Sequence, residues 1–119
     1  MELIESIVKR AQADPQRIIL PEGTEERTLK AADIILEQKI AEIVLLGNKQ
    51  EIEKISADLG LKNIDKAQII DPQDNPNHQK YVDLLFKLRQ RKGMTEEQAY
   101  EQAKDPLYLA CLMIKSGDA

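Results

Sequence analysis

The chain has 119 residues, of which 32% are charged, with 17 basic and 21 acidic side chains and a formal net charge of −4 at pH 7. A chain this long supports one core, burying roughly two-thirds of the surface its unfolded form exposes. Its scattered, slightly acidic charge lacks the basic face that nucleic-acid binding needs, and its few aromatic residues (Tyr81, Phe86, Tyr100, Tyr108) offer little for bases to stack on.

The first dozen residues place Leu3, Ile4, Ile7, Val8 and Ala11 at helical spacing, which predicts an amphipathic helix ending near Asp14-Pro15. Met1-Glu2 opens that pattern, with no basic and then apolar leader, so no secretory signal is expected. A strand follows at Arg17, where Ile18, Ile19 and Leu20 run into Pro21. The charged turn Pro21-Glu22-Gly23-Thr24-Glu25-Glu26-Arg27 then leads into a second helix with one apolar stripe, Leu29, Ala32, Ile35 and Leu36. Thr24 is the predicted cap of that helix, with the glutamates set favourably against its positive end.

Glu42 to Leu46 is apolar after its first residue, as in a parallel strand buried on both faces. Gly47-Asn48 makes a turn. A third helix, about Lys49 to Leu59, should close at Gly60 in a left-handed cap, and Ala67 to Ile70 reads as a short third strand ending at Asp71-Pro72. The segment DPQDNPN, Asp71 to Asn77, is the most loop-like in the chain.

Tyr81, Leu84, Leu85 and Leu88 mark a fourth helix that stops at Gly93 after Arg89, Arg91 and Lys92. Thr95 with Gln98 forms a capping box for a fifth helix, and Asp105-Pro106 opens a sixth. The sixth helix, Leu107 to Lys115, is apolar on nearly every side and is expected to be covered from several directions. It is too short to cross a bilayer. Strand-helix alternation with right-handed crossovers implies an α/β layered fold with a mainly parallel sheet, its strand-to-helix turns along one edge. Because a strand is due after Ser116-Gly117-Asp118-Ala119, the expectation is the amino-terminal part of a longer protein.

Familiar catalytic motifs are missing. Nothing matches a P-loop, the dinucleotide fingerprint or a Gly-x-Ser-x-Gly elbow, and no Cys or His pair stands at metal-ligand spacing. His78 is expected to be a solvated loop residue without an orienting partner. Cys111 cannot form an internal disulfide; it is expected to pack as a small hydrophobe, and a reducing cytoplasm suits it. Two arginines have open alternatives. Arg89 either complements the dipole of the fourth helix or grips a phosphate with its planar donor fork. Arg27 either belongs to a capped helix start or meets an anionic ligand there.

The segments ILPEGTEERTLKAA, AEIVLLGN, IIDP, LFKLRQRKG and YLACLMIKSGDA, in this order, resemble the phosphate acetyltransferases (phosphotransacetylases). The likeness runs from the first helix to the last residue, and the phosphate butyryltransferases, which share the fold, are the alternative. It implies a three-layer α/β/α fold like that of the isocitrate and isopropylmalate dehydrogenases, with residues 1–119 as the amino-terminal portion of domain 1 of a two-domain acyltransferase.

The resemblance further implies reversible acetyl transfer between coenzyme A and inorganic phosphate, in a cytoplasmic homodimer that needs no metal or prosthetic group. An aspartate takes the thiol proton of coenzyme A, the thiolate attacks acetyl phosphate, and serine and arginine groups stabilise the developing charge. Those catalytic groups lie beyond Ala119, so the chain alone is expected to be inactive. Two residues carry over as binding groups for coenzyme A, Arg89 from the LR-x-x-KG segment and Arg27 from the PEG-x-x-x-R segment. A reading from another class is a non-enzymatic Rossmann-like module that binds an anionic small molecule or a protein through an uncovered apolar surface.

Overall fold

A parallel sheet of three strands organises the molecule, in the order β1 (Arg17–Leu20), β2 (Glu42–Leu46), β3 (Gln68–Ile70). β1 pairs with β2 from Arg17↔Glu42 to Leu20↔Leu45, and β2 pairs with β3 from Val44↔Gln68 to Leu46↔Ile70. The computed structural model describes residues 3–118; Met1-Glu2, expected to open the first helix, and Ala119 lie outside that range.

β2 is the central strand, and Ile43 to Leu46 are all buried, as their unbroken apolar character predicts. Successive side chains on a strand point to opposite faces. Ile43 and Leu45 pack with Leu29, Ala32 and Leu36 of α2 (Glu26–Glu37) and Ile52 of α3 (Lys49–Asp58). Val44 and Leu46 pack with Tyr81, Val82 and Leu85 of α4 (His78–Arg89), Ala99 of α5 (Glu96–Gln102), and Leu109, Ala110, Leu112 and Met113 of α6 (Pro106–Ser116). The result is helices, sheet, helices: three layers with a core on each side of the sheet. Full burial of each large aliphatic side chain stabilises the fold by about 1.5–3 kcal/mol.

Local chemistry fixes where the helices start. Asn48 caps α3 through the Glu51 N–H at 3.0 Å. Thr95 and Gln98 form the reciprocal capping box of α5, at 3.2 and 3.0 Å. Asp105 accepts the Leu107 N–H at 2.9 Å, with Pro106 as the first helical residue of α6.

The start of α2 differs from expectation. The Glu25 N–H bonds the Glu22 carbonyl at 3.1 Å, which holds Thr24 inside a four-residue turn and denies it the extended backbone of a cap. Glu25 has that backbone instead, and its carboxylate accepts the Thr28 N–H at 3.0 Å and the Thr28 hydroxyl at 3.1 Å. The backbone N–H groups of Arg27 and then Thr28 hold the Glu25 carboxyl below its ordinary pKa.

Helix ends are equally definite. At α6 the Gly117 N–H bonds the Ile114 carbonyl at 3.2 Å and the Asp118 N–H reaches back to Met113 at 2.8 Å, with Gly117 at φ 85°. This closure needs a left-handed residue, which glycine adopts without steric cost. α3 closes in the same way at Gly60 and α2 at Lys39, the one non-glycine residue with positive φ among the described residues, at 55°. Short 3₁₀ turns at Ile64–Lys66 and Gln90–Lys92 had no sequence signal.

Two helices are less covered than their sequences suggest. The predicted first helix forms as α1 (Leu3–Ala13), yet none of its residues is buried, and Leu3, Ile4 and Ile7 are 75%, 71% and 55% exposed. α6 buries Leu109, Ala110, Leu112 and Met113 against the sheet and α4, but Leu107, Tyr108, Cys111 and Ile114 face outward. Cys111 is therefore exposed rather than packed, because α6 turns Leu109, Ala110, Leu112 and Met113 inward instead. Leu88, one of the residues that mark α4, is likewise exposed.

Candidate functional site

Because all three strands run parallel, the turns after them share the carboxyl edge of the sheet, as expected for Pro21–Arg27, Gly47-Asn48 and the DPQDNPN loop. Backbone bonds close that edge: the Gly23 N–H donates to the Leu46 carbonyl at 3.0 Å, and the Gly47 N–H to Ile70 at 2.9 Å. The DPQDNPN loop folds on its own side chains, with Asp71 accepting the Gln73 N–H at 2.9 Å and Asn75 the Asn77 N–H at 3.0 Å. Arg27 is exposed at the second position of α2, beside Glu25 and Glu26.

Arg89 lies elsewhere. It is the last residue of α4 and lines a groove of about 450 Å³ between α4 and α6, with Leu85, Leu88, Leu107, Tyr108 and Cys111 as apolar walls and Lys115 as a second cation. Its guanidinium pairs with no carboxylate among the described residues. α2 and α4 sit on opposite faces of the sheet, so Arg27 and Arg89 are not brought together by these residues. A groove with an apolar wall and a planar cationic fork at its margin suits a ligand that is anionic at one end and apolar along its length. Leu85 did point to this: it stands one turn before Arg89 on the buried face of α4.

His78 differs from the expected solvated loop residue. It begins α4, and its ring meets Tyr100 of α5 edge-on at 4.5 Å between centroids, with Nε2 enclosed and unpartnered. The imidazole is a packing group between two helices. Lys104 caps the same tyrosine at 4.6 Å from the ring centroid. Among the described residues no cluster of His, Cys, Asp or Glu could hold a metal ion, and no helix is long and apolar enough to cross a membrane.

Sequence reasoning missed the densest polar cluster. The Asp118 carboxylate accepts hydrogen bonds from Lys80 Nζ at 2.6 Å, the Tyr81 hydroxyl at 2.5 Å and the Ser116 hydroxyl at 2.9 Å, and the Asp118 backbone carbonyl accepts from Arg17 Nη1 at 2.9 Å. This ties the end of α6 to α4 and to the start of β1. Residues separated by 37 to 101 positions take part, and no local pattern announces such a partnership.

Donation from Lys80, then Tyr81 and Ser116, holds the Asp118 carboxyl down at about 2, from an ordinary 3.8. Burial first, and the carboxylate second, push the Tyr81 hydroxyl up to about 12 from 10.0. As pH falls, the unfolded chain takes up the Asp118 proton first, so this contribution is complete above pH 3.8 and is lost towards 2. As pH rises, the unfolded chain gives up the Tyr81 proton first, so that contribution is complete below 10 and is lost towards 12. The Asp118 side chain is 32% exposed, and solvent screening limits its acid-side loss to about 1 kcal/mol. Urea titrations between pH 7 and 2.5 should show the stability gap between the native chain and Asp118→Asn closing below pH 4; a gap constant with pH would contradict the assignment.

A family model described as phosphate acetyl/butaryl transferase matches residues 2–119. Phosphate acetyltransferases from Thermoanaerobacterium thermosaccharolyticum and Clostridium acetobutylicum are 46% and 43% identical to this chain, over 100% and 98% of it. The chain spans 35% of the length of each of these relatives. A phosphotransacetylase structure from Streptococcus pyogenes shares the fold, with a TM-score of 0.89 at 24% identity over 100% of this chain and 36% of that one. One from Staphylococcus aureus aligns with a TM-score of 0.87 at 25% identity, over 98% of this chain and 35% of that one.

Proposed function

The chain belongs to the phosphate acetyl/butaryl transferase family, and from that premise we propose that it forms the amino-terminal portion of domain 1 of a two-domain phosphate acetyltransferase. The proposed reaction is reversible: the thiolate of coenzyme A attacks the carbonyl carbon of acetyl phosphate, the carbon–sulfur bond forms, and inorganic phosphate leaves. The observation that carries this reading is the match along nearly the whole chain, together with relatives that are named as acetyltransferases. Those names favour acetyl over butyryl transfer. Coenzyme A and acetyl phosphate as substrates agree with a cytoplasmic enzyme, and a homodimer is the assembly we propose for the complete protein.

Within these residues the reading gives Arg89 the larger part. Its fork at the margin of the α4–α6 groove suits a phosphate of coenzyme A, and the apolar wall suits the chain that joins that phosphate to the thiol. Arg27, exposed just after Glu25 and Glu26 on the other side of the sheet, is the weaker binding group. A charge-assisted hydrogen bond is worth about 1.5–3 kcal/mol, so Arg89→Ala in the complete enzyme should raise KM for coenzyme A about tenfold or more. KM for acetyl phosphate should stay near its native value. An unchanged KM for coenzyme A would remove Arg89 from the site.

A further inference from the structure

Of the aromatic residues Tyr81, Phe86, Tyr100 and Tyr108, the first three are engaged within the fold. Tyr81 is buried with its hydroxyl on Asp118, Phe86 packs against the core, and Tyr100 meets His78 edge-on and Lys104 over its ring. Tyr108 has no such duty. It is 39% exposed, its ring meets no other aromatic ring or cation among the described residues, and it lines the α4–α6 groove with Arg89. The first turn of α6 holds it in place, where Asp105 accepts its N–H at 3.3 Å.

Helix geometry sets Tyr108 level with Arg89. The hydroxyls of Tyr81, near the start of α4, and Ser116, at the end of α6, both donate to Asp118, so the two helices run back from that tie in opposite chain directions. Arg89 is eight residues beyond Tyr81 and Tyr108 eight before Ser116, about 12 Å along each helix at roughly 1.5 Å per residue. The planar fork and the exposed ring therefore share one end of the groove, and Lys115 stands towards the other.

We propose that Tyr108 is the platform on which the adenine ring of coenzyme A stacks, so that this end of the groove takes a nucleotide rather than a bare phosphate. This role presupposes the coenzyme A site proposed above. A phosphate ester without a base leaves the tyrosine ring, and Leu107 beside it at 62% exposure, in water. An adenine nucleotide covers them while its phosphate reaches the fork. The groove, at about 450 Å³, lies within the roughly 300–1,000 Å³ usual for small-molecule sites. Few aromatic residues are a poor equipment for nucleic acid, but a single base needs a single ring.

Acetyl-transfer kinetics of the full-length protein test this. Tyr108→Ala should raise KM for coenzyme A about tenfold, and the inhibition constant of adenosine bisphosphate, the nucleotide half of coenzyme A, by a similar factor. The kcat and the KM for acetyl phosphate should stay near their native values, and Tyr108→Phe, which keeps the ring, should restore both altered constants. Tyr108→Leu carries the same expectation as the alanine variant and serves if that variant does not fold. An unchanged KM for coenzyme A would overturn the proposal. So would KM values for both substrates rising together, as a merely structural role predicts, or a native protein in which adenosine bisphosphate does not compete. A rise in Tyr108→Ala without one in Arg89→Ala would keep the stack and remove the fork; the reverse would keep the coenzyme A site and remove the stack. A full-length protein that transfers no acetyl group to coenzyme A would end both.

Discussion

Truncating Leu45 to alanine is expected to destabilise the chain by about 2–5 kcal/mol, a large fraction of the roughly 5–15 kcal/mol that holds a domain together. Leu45 is 0% exposed, in the middle of the central strand, and faces Leu29, Leu36 and Ile52. Both flanking strands and two helices fix its surroundings, so the space left by the lost carbons cannot collapse. Urea unfolding should show a lower midpoint with an unchanged slope. Ile18→Ala, at a site 39% exposed on an edge strand, is the control and should cost under about 1 kcal/mol. Equal losses at the two positions would mean that the core is not packed as described.

Gly23→Ala comes next, at about 2–4 kcal/mol, from overpacking and a weakened hydrogen bond. A methyl group on Gly23 would stand 2.6 Å from the Leu46 carbonyl oxygen and 3.2 Å from Ile52 Cδ1. The first of these is backbone in the central strand and cannot swing aside. Relief has to come from the turn, which breaks the Gly23 N–H to Leu46 bond and shifts the start of α2. Thermal melting should fall, with amide exchange rising first at residues 22–28. A variant within 0.5 kcal/mol of the native chain, taken as about the effect of a neutral surface change, would contradict the close approach.

Much of this fold was legible because its signals are local. Thr95 with Gln98, Asp105 with Pro106, and the unbroken run Ile43 to Leu46 each state their structure within four or five residues. The choice of Glu25 over Thr24 as a cap was not legible, because the bond from Glu25 to Glu22 decides it and either side chain could serve. Periodicity identified α1 and α6 as helices with apolar faces, but it carries no information on what lies against a face. Cys111 was misplaced for that reason. His78 against Tyr100, and Asp118 against Lys80, Tyr81 and Arg17, are contacts over long sequence separations that leave no periodic trace. At the candidate site the sequence led to Arg89 and to its neighbour Leu85, while the exposed wall of α6 emerged only from packing.

The alternation of β2 has a thermodynamic corollary. Leu45 and Leu46 are joined by one peptide bond yet serve different cores, one shared with α2 and α3, the other with α4, α5 and α6. Free-energy changes add for sites that share no partners and couple for sites that touch. Leu29 and Leu109 are buried on opposite sides of the sheet, so each layer of helices can be repacked with little reference to the other. Neighbours along this strand are strangers in energy, and side chains far apart in sequence, such as Leu29 and Ile52, are the ones that must change together.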